Sequence, residues 1–178
     1  MKKTLFGDRI NIELGDITQM GCDAIVNAAN KSLLGGGGVD GAIHRAAGRQ
    51  LLEECKTLGG CQTGQAKLTK GYNLKAKYVI HTVGPIYSGK DTDEIMLKNC
   101  YINSLELAKE QEIHSIAFPA ISTGVYGYPA EKVVPIAVDT VYSWIEKNMD
   151  YDIKVTFVCF NDRIFQMFKK YVQGGKSV

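Results

Sequence analysis

The chain has 178 residues, a formal net charge of +2, 45% hydrophobic and 22% charged residues, the profile of one globular domain spanning 1–178. That apolar content excludes disorder, and the near-neutral balance offers no electrostatic basis for nucleic-acid binding. No apolar run approaches the ~18 residues of a membrane span, and Gly7-Asp8-Arg9 interrupts the basic start before an apolar leader forms, so a cytoplasmic location is expected.

In chain order, Ile10, Ile12 and Leu14 alternate with polar residues, the period of a half-exposed strand. Asp23 to Ala29 is an apolar run without alternation, as in a strand buried on both faces. Val39–Ala47 and Gln50–Leu58 are helical in pattern, with Gly48 breaking the path. Ala66 to Thr69 alternates again, and Tyr78 to Val83 is rich in strand formers, closed by Gly84-Pro85. From Thr92 to Glu112, Ile95, Leu97, Ile102, Leu105 and Leu107-Ala108 follow helical spacing. Ser115 to Ile121 is a short buried strand. Pro129 suits the first turn of a helix running to about Asn148. Lys154–Phe160 is a last strand and Asp162–Val172 a last helix, with a frayed tail from Gly174.

Strands alternating with helices predict an α/β architecture with a largely parallel sheet. The early hairpin-like strands suggest that the sheet is mixed. Ligands of such sheets sit beyond the carboxyl ends of the strands. That rule selects Gly15 to Thr18, Asn27 to Gly41, Ser122 to Tyr128 and Phe160-Asn161.

Several familiar chemistries fail on these segments. Gly36 to Gly41 formally satisfies G-x-G-x-x-G, but it does not follow its strand directly and lacks a following-strand acid about 20 residues on. Gly175-Lys176-Ser177 has no earlier P-loop glycine and no helix after it. Ser122 follows a strand, yet His44, His81 and His114 all precede it, the wrong order for a hydrolase nucleophile elbow. The five cysteines, Cys22, Cys55, Cys61, Cys100 and Cys159, are odd in number and hold no C-x-x-C pair, so neither disulfides nor zinc is expected.

Glycine is the compositional anomaly: 19 of 178 residues, ten of them between Gly35 and Gly71, against a typical share of ~7%. Two loops rich in glycine and hydroxyls, Gly35–Gly38 and Ser122–Gly127, each lead into a helix. Backbone N–H groups of such loops form anion-binding nests, reinforced by helix N-termini. Two of them at neighbouring strand ends suit a pyrophosphate held by amides; tight turns without a ligand are the alternative.

Five separated segments carry a resemblance. They are Gly15 to Thr18, Asp23 to Asn30, Gly35 to His44, Tyr78 to Pro85 (YVIHTVGP) and Phe118 to Pro129 (FPAISTGVYGYP). In order and spacing the chain resembles a macrodomain of the MacroD type from about Arg9 to Phe168. The resemblance implies a three-layer α/β/α sandwich with a mixed central sheet and a cleft for ADP-ribose. It further implies hydrolysis of ADP-ribose esters on Asp and Glu side chains of mono-ADP-ribosylated proteins, and of O-acetyl-ADP-ribose. A module that binds ADP-ribose without turning it over is the rival reading. No cofactor or metal is implied, and neither a membrane nor nucleic acid is expected as a partner.

Position by position, Asp16 resembles the acid that accepts from the adenine amino group, with the Ile17 backbone alongside. Phe160 resembles the aromatic packed on the adenine; the strand's alternation leaves a core role open. Asn30 resembles the amide that bonds the distal ribose hydroxyls, and Asn27 nearby is either supporting or purely structural. Gly37, Gly38 and Val39 match the first phosphate loop. Ser122, Thr123, Gly124, Val125 and Tyr126 match the second. Asp40 and Asn30 form the catalytic pair, Asp40 orienting or activating the water. Asp40 also stands where a helix-capping Asp would stabilise. His44, one helical turn on, either tunes that acid or packs structurally. His81 is expected in the core and His114 at the surface.

Overall fold

The structure, a computed structural model, describes residues 8–174; the tail expected to fray from Gly174 lies, for residues 175–178, outside them. Six strands form one sheet in the order β1-β6-β5-β2-β4-β3. They are β1 Ile10–Leu14, β2 Ala24–Ala28, β3 Ala66–Lys70, β4 Tyr78–Thr82, β5 Ser115–Phe118 and β6 Lys154–Cys159. Every pairing is parallel except β3 against β4. The sheet is therefore mixed, but not for the reason the sequence suggests. The early strands β1 and β2 form no hairpin; the antiparallel member is the edge strand β3.

Five helices cover the sheet: α1 Gly38–Ala47, α2 Arg49–Lys56, α3 Asp91–Glu110, α4 Ala130–Lys147 and α5 Asp162–Gln173. The period-two rule of strands assigns them to layers. In β2, Val26 faces the core made with α3, α4 and α5, while Ile25 faces the core made with α1 and α2. Phe118 and Ala117 of β5 split the same way, as do Phe157 and Val158 of β6. Consecutive apolar residues in the inner strands thus reflect burial on both faces, and the result is an α/β/α sandwich.

Three local departures have physical causes. β5 ends at Phe118 rather than Ile121, because Pro119 has no N–H for the ladder. Ile95 and Ile102 of α3 are exposed, and the buried stripe is Leu97, Cys100, Tyr101, Ser104, Leu105 and Ala108. Leu97, Leu105 and Ala108 hold the expected face, while Cys100, Tyr101 and Ser104 pack beside them in place of Ile95 and Ile102. After β1, a single 3-10 turn at Ile17–Gln19 is fixed by Asp16, whose Oδ1 accepts from the Thr18 N–H at 2.9 Å.

Phe157 anchors the larger core, its ring stacked on Phe168 with centroids 4.9 Å apart. Phe157→Ala is expected to lose about 3–5 kcal/mol of stability in urea unfolding, the range for deleting a fully buried aromatic; a loss under about 1 kcal/mol would contradict this packing.

Candidate functional site at the strand ends

The sheet order fixes where the site is. From β2 the chain moves outward past the place of β4 to the edge strand β3 on one side, and from β5 outward to β6 on the other. The carboxyl ends of β2 and β5, adjacent in the sheet, are therefore a topological switch point, where a crevice opens between diverging loops. The loop after β2 carries Asn30 and the glycines, and the loop after β5 carries Ser122 to Tyr126. Along the same edge follow Phe160 at the end of β6 and Asp16 at the end of β1.

Asn30 shapes the first loop. Its Oδ1 accepts from the Leu33 N–H at 3.1 Å and from Ser32 Oγ at 2.7 Å, and its Nδ2 donates to Gly35 O at 3.0 Å. One Nδ2 hydrogen remains for a ligand. A Cβ on Gly36 would lie 3.1 Å from Asp40 Oδ2 and 3.4 Å from Asn30 Nδ2, so glycine there lets both polar side chains crowd one point. Gly37 is the N-cap of α1 and offers no side-chain cap. Among the described residues no protein acceptor faces the N–H groups of Gly35, Gly36 and Gly37. Those of Gly38, Val39 and Asp40 open the helix without intrahelical partners.

Asp40 is the third residue of α1 and makes no capping bond. The capping role open to it from the sequence is not the one it takes; Gly37 stands at the cap. Asp40 is 5% exposed. Its Oδ1 accepts from Asn27 Nδ2 at 2.8 Å and lies 3.5 Å from His44 Nε2. Burial pushes its carboxyl above the ordinary value, opposed by the Asn27 bond and by His44. His44 Nε2 is buried and makes no hydrogen bond, so its ring faces the acid, not a structural partner.

Asn27 is wholly buried and reaches two ways. The same Nδ2 that serves Asp40 lies 3.1 Å from His81 Nδ1, and His81 Nε2 lies 2.9 Å from Thr69 Oγ1. Burial lowers the His81 imidazole to about 3, so the ring is neutral. His81 is a core residue, as its strand position suggests, and His114 is exposed.

In the second loop Ser122 holds φ +69, a strained left-handed conformation for a residue with a Cβ. Its Oγ donates to Pro85 O at 2.9 Å. The loop fits only because Gly84 lacks a side chain: a Cβ there would meet Ser122 Oγ at 2.2 Å and Ile121 Cγ2 at 2.7 Å. Thr123 Oγ1 donates to Ala120 O at 2.7 Å, and the Tyr126 carbonyl accepts from the Tyr87 N–H at 2.9 Å. Among the described residues the amides of Gly124, Val125 and Tyr126 have no protein acceptor. Val125 is 99% exposed.

On the other flank Phe160 is 78% exposed, which excludes the core role left open for it. Asn161 beside it caps α5, accepting from the Ile164 N–H at 2.9 Å. Asp16 uses Oδ1 within its turn, where Thr18 Oγ1 also donates at 2.7 Å, so Oδ2 faces solvent. The four cysteines Cys22, Cys55, Cys100 and Cys159 have thiols pushed up to about 11 or 12 by burial, which keeps them protonated. A cleft of about 430 Å³ lies between Gly35-Gly36 and the first two helices, walled by His44, Arg45, Arg49 and Leu52. Thr69 is the residue that sequence reasoning missed. The only signal was a threonine in a strand whose partner strand carries a buried histidine.

The Asp40 shift sets a pH dependence. Its folded pKa lies above the unfolded one, so the native state binds the proton more readily. The cost of burying the charge is absent below the unfolded value, near 4, and sets in as pH rises through the folded value. Asp40→Asn keeps an oxygen acceptor for Asn27. It is expected to be more stable than the wild type at pH 7 in thermal unfolding, with the gap closing toward pH 4. A less stable variant at pH 7 would contradict the reading of Asp40 as a buried, ionised acid.

Comparison with known proteins agrees with this geometry. The family model described as Macro domain matches residues 26–137. The chain is 59% identical over 165 residues to a macro domain-containing protein of Methanosarcina mazei, covering 92% of this chain and 87% of that one. It is 53% identical over 172 residues to the ADP-ribose glycohydrolase MACROD2 of Homo sapiens, covering 96% of this chain but only 40% of that longer protein. Among solved structures it superposes on a Trypanosoma brucei macrodomain in complex with ADP-ribose with a TM-score of 0.88 at 46% identity, covering 92% of this chain and 69% of that one. The chain belongs to the macro domain family, and within it to the MacroD type.

Proposed function

We propose that the chain is an ADP-ribose hydrolase that frees ADP-ribose from ester links on Asp and Glu side chains of proteins and deacetylates O-acetyl-ADP-ribose. The observation that carries this reading is the buried carboxylate of Asp40, one turn into a helix that begins in a glycine loop, with Asn30 Nδ2 beside it. The named activity of MACROD2 and the ADP-ribose held by the trypanosomal macrodomain support the same class.

ADP-ribose spans the strand ends in this reading. Asp16 Oδ2 accepts from the adenine amino group and the Ile17 backbone lies alongside, while Phe160 packs on the base. The free amides of Gly37, Gly38 and Val39 hold one side of the diphosphate and those of Gly124, Val125 and Tyr126 the other, in the loop that Ser122 and Thr123 shape. Amides supply this without Lys or Arg, which suits a chain of net charge +2. The remaining Nδ2 hydrogen of Asn30 serves a distal ribose hydroxyl, and Tyr126 flanks that sugar.

Asp40 then orients the water and takes its proton. For the protein ester, the water oxygen bonds to the anomeric carbon as the bond to the ester oxygen breaks, and the Glu or Asp side chain departs as a carboxylate. For O-acetyl-ADP-ribose, the water adds to the acetyl carbon and the ribose oxygen leaves, recovering the proton. A general base of this kind contributes ~10²–10⁴-fold, and a clamped ribose adds positioning.

A binding module without turnover needs no such acid, which separates the two readings. Given a peptide carrying mono-ADP-ribosylated Glu, the wild type is expected to release free ADP-ribose, and Asp40→Ala to lose at least ~10²-fold in kcat while still binding ADP-ribose by calorimetry. Binding without release by the wild type would make the chain a reader. Asp16→Ala is expected to weaken ADP-ribose binding by about 1–3 kcal/mol, the range for a hydrogen bond to a charged group; unchanged affinity in the same titration would remove Asp16 from the adenine.

A further inference from the structure

The structure assigns Thr69 and His81 as positioning residues for Asp40, acting through the buried amide of Asn27. The inference rests on the reading of Asp40 as the water-activating acid. Four side chains from four elements form one line: Thr69 of β3, His81 of β4, Asn27 of β2 and Asp40 of α1. Thr69, Asn27 and His81 are no more than 1% exposed and Asp40 is 5% exposed.

The donor and acceptor roles are forced from the acid end. An ionised carboxylate only accepts, so the Asn27 group 2.8 Å from Asp40 Oδ1 is the NH₂ and not the carbonyl. That same NH₂ sends its second hydrogen to His81 Nδ1, which must therefore be the unprotonated ring nitrogen. The neutral ring then carries its proton on Nε2, and Thr69 Oγ1 accepts it, with Cys55 Sγ of α2 a weaker second neighbour at 3.8 Å. The other titratable group facing the acid is His44 of α1, its Nε2 3.5 Å from Asp40 Oδ1.

Read backward, the chain is a device. The acid-side bonds set the Nε2–H tautomer. Thr69 Oγ1 stabilises it as the strong acceptor of that hydrogen, since Cys55 Sγ at 3.8 Å is only a weak one, and the tautomer keeps the Asn27 NH₂ toward the acid. In the other tautomer Nδ1–H would face the amide, turn it, and put Asn27 Oδ1 against the carboxylate. Asn27 Oδ1 is already buried without a partner, so the amide orientation is not maintained by bonds on its oxygen. It depends on the two acceptors of its nitrogen.

The test uses Thr69→Val, which removes the hydroxyl at nearly constant shape, and Thr69→Ser, which retains it. In the wild type and Thr69→Ser, ¹⁵N NMR of His81 is expected to show the Nε2–H tautomer, with like kcat and pH profiles. In Thr69→Val the Nε2–H signal gives way to Nδ1–H, and the Asp40 carboxyl titrates at higher pH by ¹³C NMR. The acid limb of kcat moves up with it. At neutral pH kcat falls about tenfold, part of the full contribution of a general base, while ADP-ribose affinity stays within about twofold, because neither residue belongs to the proposed ligand contacts. A folded Thr69→Val that keeps the tautomer, the Asp40 titration and kcat would overturn the assignment. So would parallel loss in Thr69→Ser. The two NMR readouts need no turnover, so a wild type that hydrolyses nothing sinks the proposed function while leaving this inference decided on its own evidence.

Discussion

The hydrogen bond from Asn27 Nδ2 to Asp40 Oδ1, 2.8 Å long, is the contact on which the site depends. It joins the central strand of the sheet to the first turn of the helix that follows the glycine loop. A buried carboxylate without such a donor would neutralise itself by taking up a proton. With it, an acid can be kept dry enough to be basic and still charged. The same bond fixes the entry of α1 relative to β2, and with it the loop of glycines between them.

The remainder of the site follows from sheet order. Five parallel strand ends line one edge, and diverging connections after β2 and β5 leave a crevice with a loop on each side. Each loop leaves amides without protein acceptors, and each is set by a close approach that only glycine allows. Gly36 lets Asn30 and Asp40 converge, and Gly84 lets Ser122 hold a left-handed backbone. Part of the glycine excess thus belongs to the site, while others such as Gly60 and Gly71 serve close backbone approaches elsewhere in the fold.

Much of this was legible in the residues. The apolar run Asp23 to Ala29 announced a doubly buried strand and Tyr78 to Val83 a second strand, and the loops at Asn27–Gly41 and Ser122–Tyr128 announced the ligand edge. What periodicity could not settle was direction. The antiparallel strand proved to be β3 because pairing partners are set by tertiary packing, not by spacing along the chain. The apolar stripe of α3 was right at Leu97, Leu105 and Ala108 but not at Ile95 and Ile102, which are exposed while Cys100, Tyr101 and Ser104 are buried. Asp40 was legible as an acid at a helix start, but not as a residue of the third position. Its connection to Thr69, 29 positions away, passes through three strands and leaves no mark in local pattern. Motif resemblance supplied the ligand; the physical reading alone reached an anion held by two nests.

The central claim is that amides of two turns grip a diphosphate so that the distal sugar lies beside Asp40. A crystal structure of the chain with ADP-ribose tests it most directly. The account predicts the diphosphate oxygens within hydrogen-bond reach of the 37–39 and 124–126 amides, and Asp40 within reach of a water facing the anomeric carbon. A diphosphate bound elsewhere, or an Asp40 carboxylate turned from the sugar, would contradict it.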